Sequence, residues 1–278
     1  MLPRAVTRHR LVVAALTAAA AAWLALAATA PAAAAVPAAT QPAVRYVALG
    51  DSYSSGLGAG DYSGGSCERS AKAYPALWAA AHDPMSYVSR ACSNATTSSV
   101  ITGQLSALSR ATTLVTLTIG GNDAGFVHVM TTCVLLPTSF CVSAIKGAEA
   151  KIRSSLPGEL DRVLAAISAR APDARVVVLG YPVPYDLSRS SSCLGLSTTD
   201  RTDLNQAANQ LDGQIRAAAR RHGDVFADVR RAFAGHEICD AHRWLNSVDW
   251  LDIGVSYHPT ATGQAGGYLP VLSAAAVG

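Results

Sequence analysis

The chain has 278 residues, half of them hydrophobic, and a formal net charge of +3. Arg4, Arg8 and Arg10 account for that excess, because no acid precedes Asp51 and the remaining 19 basic residues match the 19 acidic ones. A length of this order suits one domain with a single large core, and the balanced charge, with no clustered basic face, argues against a nucleic-acid partner.

In chain order, residues 1–35 read as an export signal. The three arginines are followed by an uncharged Ala/Leu-rich run from Leu11, which ends in the small-residue stretch Pro31 to Ala35. That run is long enough to span a bilayer. Its alanine content and closing small residues favour cleavage near Ala35 over a retained anchor, so a secreted, extracellular protein without stable membrane insertion is expected. Residues 36–44 are a Pro/Ala/Gln/Thr leader without periodicity.

Apolar runs rich in Val and Ile at 46–49, 86–88, 114–119, 175–179 and 225–228 predict strands buried on both faces, as in a parallel sheet. Between them, 73–81, 158–170, 203–221 and about 260–272 predict helices. In 203–221, Leu204, Ala207, Ala208, Leu211, Ile215 and Ala218 share one face, and Arg220, Arg221 and Gly223 mark its end. Strands alternating with helices predict a three-layer α/β/α sandwich around a central parallel five-stranded sheet.

Cys67, Cys92, Cys133, Cys141, Cys193 and Cys239 all follow the export signal. An even number in an exported chain predicts disulfides, and six cysteines allow 15 pairings between which the residues alone do not choose. No CxxC pair occurs and no cysteine sits at ligand spacing from a histidine cluster, so no metal is expected.

Three short blocks carry the chemistry, each where a strand ends or a helix opens. Ligands in open parallel sheets bind outside the carboxyl ends of the strands. Gly50-Asp51-Ser52-Tyr53 follows the first strand, where a glycine permits a tight turn and presents Ser52 with its backbone N–H free to face a developing oxyanion. Gly120-Gly121-Asn122-Asp123 follows the third strand and offers the Asn122 amide as a donor. His258-Pro259-Thr260 opens the last helix, and the proline keeps His258 in an extended or turn conformation. Each block alone reads equally as a turn or a cap; together they place a serine, an amide and an imidazole at one sheet edge.

These blocks resemble those of the SGNH or GDSL hydrolase superfamily, over nearly the whole chain from Tyr46 to Gly267. The early serine, the six cysteines and the export signal make the chain most similar to the secreted actinobacterial lipase, esterase and phospholipase branch. The resemblance implies a flavodoxin-like fold over residues 45–278, with Ser52 as nucleophile and His258 as general acid/base. The Ser52 N–H and Asn122 side chain would be oxyanion donors. It implies an acyl-enzyme mechanism without cofactor, and a small-molecule or lipid ester substrate, met in solution or at a lipid interface, for an enzyme acting as a monomer. The Gly-x-Ser-x-Gly elbow of α/β-hydrolases is absent around Ser52.

Two departures from the family pattern stand out. Asn94 occupies the place of the usual oxyanion glycine, and asparagine tolerates positive φ better than most residues. Val255 occupies the place of the usual triad acid, so the carbonyl of Val255 or Ser256 is expected to orient His258, with Asp249 and Asp252 as the substitutes. The resemblance also implies the disulfides Cys67–Cys92, Cys133–Cys141 and Cys193–Cys239. Val134, Leu135, Leu136 and Phe140, preceded by Phe126 and Val129, read as an apolar loop that either lines an acyl-binding surface or packs beneath its staple. A carbohydrate deacetylase of acetylxylan type, using Trp244 and Trp250 as sugar platforms, and a non-catalytic secreted binding protein are the alternatives to the ester hydrolase.

Overall fold

The computed structural model describes residues 43–63, 65–189, 193 and 195–277. The expected export signal and most of the leader lie outside the described residues. Seven strands and ten α-helices are distinguished among those described. In chain order they are β1 (Arg45–Gly50), α1 (Ser52–Ser55), β2 (Tyr62–Ser63), β3 (Arg69–Ser70), α2 (Tyr74–His82), β4 (Ser86–Ser89), α3 (Thr97–Ser99), β5 (Leu114–Thr118), α4 (Gly121–Ala124), α5 (Phe126–Leu135), α6 (Thr138–Ser154), α7 (Leu156–Arg170), β6 (Arg175–Leu179), α8 (Thr198–His222), β7 (Val225–Ala227), α9 (Arg230–Phe233) and α10 (Leu269–Ala276).

The main sheet has five strands in the order β4-β1-β5-β6-β7, all parallel. Counted within the sheet this is the 2-1-3-4-5 order of flavodoxin-like folds, which reverses direction between β1 and β5 and opens a crevice beyond their carboxyl ends. β1 and β5 are buried along nearly their whole length, whereas β4, at the edge, alternates between exposed and half-buried residues. Helices α2 and α10 pack against each other on the sheet, while α6, α7 and α8 form a second packed group.

Local signals set the helix ends. On α7, Leu156, Leu160, Val163, Leu164 and Ile167 are buried at three- and four-residue spacing, with proline in the first turn and Arg170 in the last. A capping box starts α8 five residues earlier than the periodicity alone predicts: Ser197 Oγ accepts from Asp200 N–H at 3.2 Å, and the Asp200 carboxylate accepts from Ser197 N–H at 3.1 Å. The last helix begins as a π-turn at Gly263–Tyr268, where Trp244 and Phe233 fill the space that side chains at Gly266 and Gly267 would take.

The region expected as an apolar loop is instead a helical hairpin. Val134 and Leu135 close α5, Leu136 and Pro137 form the turn, and Phe140 lies in the first turn of α6. Val, Thr and Cys dominate the end of α5 and have weak helix propensity, which packing overrides: Val129, Met130, Cys133, Cys141, Ile145 and Ile152 are buried in the core. The cysteines pair as Cys67–Cys92, Cys133–Cys141 and Cys193–Cys239. The second pair staples the hairpin at its turn.

The junction from β1 to α1 leaves no room for a side chain. Gly50 has φ 121°, and a Cβ there would lie 2.7 Å from Ser54 Oγ and closer still to Thr118 O. Gly50→Ala is expected to cost about 3 kcal/mol or more, combining backbone strain with a clash against main chain; urea unfolding measures it, and a loss below about 1 kcal/mol would contradict this account.

Candidate active site

Ser52 is the first residue of α1, a helix of one turn. Its N–H therefore belongs to the set with no intrahelical acceptor. Asp51 caps this helix, accepting from Tyr53 N–H at 3.0 Å, and Gly56 closes it in the left-handed conformation. The turn is pinned from below: Gln104 accepts from Gly50 N–H and donates to Gly50 O, and Asp51 N–H donates to Thr118 O.

His258 approaches from the segment before α10. Asn246 grips that segment, its N–H and side-chain amide both donating to His258 O, while Tyr53 O–H donates to the Tyr257 carbonyl at 2.8 Å. Tyr257 itself is held at φ 67°. The imidazole then lies with Nε2 2.8 Å from Ser52 Oγ and Nδ1 3.0 Å from the Ser256 carbonyl. A carbonyl only accepts, so the ring proton sits on Nδ1 and the Nε2 lone pair faces the serine hydroxyl.

Of the two carbonyls considered from the sequence, the ring meets that of Ser256; Val255 O instead accepts from the His258 backbone N–H at 3.1 Å. Neither acid is hydrogen-bonded to the ring. Asp249 Oδ1 caps its own turn by accepting from Leu251 and Asp252 N–H, and exposed Asp252 makes no hydrogen bond to the imidazole.

Asn122 lies in α4, immediately after the third strand of the sheet. One of its amide hydrogens goes to Ala95 O at 2.9 Å, leaving the second for a ligand. Asp123 binds Thr97 through both its N–H and its hydroxyl, so the loop after β4 is tied to the loop after β5. Asn94 projects from that first loop with φ 64° and borders the same groove as Ser52, Asn122 and His258. The structure thus brings Ser52, Asn94, Asn122, Ser256 and His258 to one place at the sheet's reversal point. Trp250 is 69% exposed and also borders the groove. Trp244, by contrast, stacks on His236 at 3.7 Å and packs against Phe233, so it offers no sugar platform.

Sequence reasoning passed over Asp51, Tyr181 and Asp212. Asp51 is 1% exposed, and burial pushes its carboxyl up to about 7, against the opposing pull of hydrogen bonds from Tyr181 and Tyr53. Tyr181 O–H donates to Asp51 Oδ2, and Tyr181 N–H donates to Asp212 Oδ1. The available signal was Tyr181 itself, two residues past a strand at the sheet edge that carries the other blocks.

Two apolar spaces meet at Ser52. One is an inner pocket between the loops that follow the strands and helices α5, α6 and α8, lined by Val129, Met130, Ile152, Ala207 and Leu211. The other is the surface groove, lined by Leu57, Val127, Leu135, Trp250 and Ile253. Among the described residues, no cluster of His, Cys, Asp and Glu could hold a metal ion.

The model of the GDSL-like lipase/acylhydrolase family matches residues 48–265. The chain belongs to this family. As a GDSL-type member it is a carboxylic ester hydrolase. It is 57% identical over 242 residues to Lipase 1 of Streptomyces coelicolor, covering 86% of this chain and 90% of that one. Phospholipase A1 from Streptomyces albidoflavus superposes with a TM-score of 0.81 at 53% identity, over 84% of this chain and 99% of that one. The extracellular lipase from Streptomyces rimosus does so at 0.81 and 51%, over 84% and 100%.

Burial pushes the His258 imidazole down to about 4, because desolvation disfavours the charged form more than the carbonyls of Ser256, Val255 and Gly254 favour it. The neutral Nδ1–H tautomer is expected to persist as pH falls until about 4, followed by nitrogen NMR of the ring. Titration at the ordinary value near 6.5 would contradict this assignment.

Proposed function

We propose that the chain is an exported serine hydrolase of lipid esters, with Ser52 as nucleophile and His258 as general base. The observation that carries this reading is the 2.8 Å contact between a buried imidazole nitrogen and the serine hydroxyl. His258 takes the Ser52 proton as Oγ attacks the ester carbonyl. The oxyanion meets the Ser52 N–H, the free amide hydrogen of Asn122 and the Asn94 N–H. Collapse of the tetrahedral species passes the proton from His258 to the leaving alcohol. Water then repeats the sequence to release the acid.

Among the described residues no side-chain carboxylate is hydrogen-bonded to the imidazole, so the centre is a Ser52-His258 dyad oriented by the Ser256 carbonyl. The carbonyl fixes the tautomer and ring plane, the geometric part of what a triad aspartate does.

Lipid esters fit because both spaces beside Ser52 are apolar: the inward pocket accepts an extended acyl chain, and the outer groove a second chain or the rest of the alcohol. The rim of the groove is exposed and apolar as well, with Val127, Leu135, Trp250 and Ile253 all more than half exposed. Residues 124–145 contain no Asp, Glu, Lys or Arg, which suits contact with a lipid surface. Residues 1–35 would act as the export signal, with residues 45–278 as the catalytic domain, and three disulfides suit an oxidising destination. The extracellular S. rimosus lipase supports that destination, and the S. albidoflavus phospholipase A1 supports a two-chain substrate.

Ser52→Ala is expected to abolish hydrolysis of nitrophenyl esters, and Asn122→Ala to lower kcat by about 10²–10³-fold through loss of one donor. Asp249→Ala and Asp252→Ala are expected to stay within about threefold of the parent, because a true triad acid would cost about 10⁴-fold. Retained activity in Ser52→Ala would sink the mechanism. Assayed on phospholipid, triglyceride and acetylated xylan, the enzyme is expected to release long-chain acids and leave the polysaccharide acetylated. The reverse pattern would move it to the deacetylases.

A further inference from the structure

We propose that Tyr181 is a positioning residue whose hydroxyl sets the spacing between the two halves of the oxyanion site, by bridging the Asp51 carboxylate beside Ser52 to the Gly121 N–H beside Asn122. The proposal rests on the reading of Ser52 N–H and Asn122 as oxyanion donors.

Gly121 N–H can only donate, and it lies 3.1 Å from the Tyr181 hydroxyl oxygen. The hydroxyl proton is therefore left for Asp51 Oδ2. The other carboxylate oxygen, Oδ1, accepts from Tyr53 N–H. One hydroxyl thus meets the cap of α1, the helix that begins with Ser52, and the first N–H of α4, the helix that holds Asn122. Both helices have four residues. A single turn has no stability of its own in water, so the direction of its N–H groups and side chains is imposed from outside.

Tyr181 is itself held from behind. Its N–H donates to Asp212 Oδ1 at 2.8 Å, and Asp212 is fully buried with Arg230 Nε 3.5 Å from its other oxygen. The Asp212 carboxylate occupies the space above Gly180, 2.6 Å from where a Cβ would sit, which fixes the chain one residue before the tyrosine. The Tyr181 ring packs edge-on against Tyr53 at 5.0 Å. The phenol therefore reaches from the end of β6 across the end of β5 to the end of β1 along a path with little freedom.

The bases of the same two loops are tied separately, by Asp51 N–H to Thr118 O and by Thr118 N–H to Ser54 Oγ. Loss of the hydroxyl leaves those ties and the ring packing intact. What it releases is the tips, where the oxyanion donors are.

The test is Tyr181→Phe, which keeps the pocket wall and deletes the bridge. With a nitrophenyl ester, kcat is expected to fall about ten- to hundredfold, the scale of a small misplacement, with KM changed less than about twofold. In the Asn122→Ala background the same substitution is expected to cost markedly less, because the two losses share one cause. A kcat within about twofold of the parent, or the same fold-loss in both backgrounds, overturns the proposal.

If thermal unfolding shows that Tyr181→Phe does not fold, Asp51→Ser serves in its place. Serine keeps one oxygen to cap Tyr53 N–H and has no second oxygen to reach the Tyr181 hydroxyl, so the bridge alone is lost. The same dependence on the Asn122 background is expected, and its absence overturns the proposal. A Ser52→Ala variant assayed alongside separates the outcomes: if it stays active the catalytic reading fails, whereas an inactive Ser52→Ala with an unimpaired Tyr181→Phe removes the positioning role alone.

Discussion

A largely buried imidazole, aimed by one carbonyl, is the constraint on which the rest of this site depends. His258 is buried, and desolvation keeps its lone pair available at the nitrogen that faces Ser52. Burial alone would leave the ring free to rotate. The bond from Nδ1 to Ser256 O removes that freedom, and it exists only because the segment carrying Ser256 and His258 is gripped by Asn246 and by Tyr53. The hydroxyl of Tyr53, next to the serine in sequence, thus holds the backbone that presents the histidine. The two partners of the dyad are locked to each other across 206 residues by their neighbours as well as by their own contact.

The fold was largely legible because a parallel sheet needs apolar runs without polar alternation, and Leu114 to Ile119 and Arg175 to Leu179 have that form. Helices with a clean apolar face, such as α7 and α8, were legible for the same reason. The hairpin of α5 and α6 was not. Its β-branched residues favour helix weakly, and the hairpin is packed by α5 against α6 and by α6 against α8, which lies far away in sequence.

Within the site, Ser52, Asn122 and His258 stand in short blocks that follow strands or open a helix, so topology announces them. Asp51, Tyr181 and Asp212 carry no such announcement. Their partners lie 130 and 31 residues apart, and nothing local distinguishes Tyr181 from any other aromatic residue after a strand. The choice between Val255 and Ser256 was equally beyond the sequence, since every residue has a carbonyl and only the path of the loop decides which one meets the ring.

The proposed use of a main-chain atom as the third member has a consequence for how the enzyme tolerates change. A triad aspartate is lost with one codon. The Ser256 carbonyl belongs to the main chain, so the side chain of residue 256 bears on it only through the path of the loop, where the Ser256 hydroxyl accepts from Asp249 N–H at 2.9 Å. The vulnerable quantity is the path of the chain, above all the left-handed turn at Tyr257. Mutational sensitivity is thereby shifted away from the atoms that touch the imidazole and onto Asn246, Tyr53 and Tyr257. A survey of inactivating substitutions would find the third element spread over residues that supply neither the nucleophile nor the base.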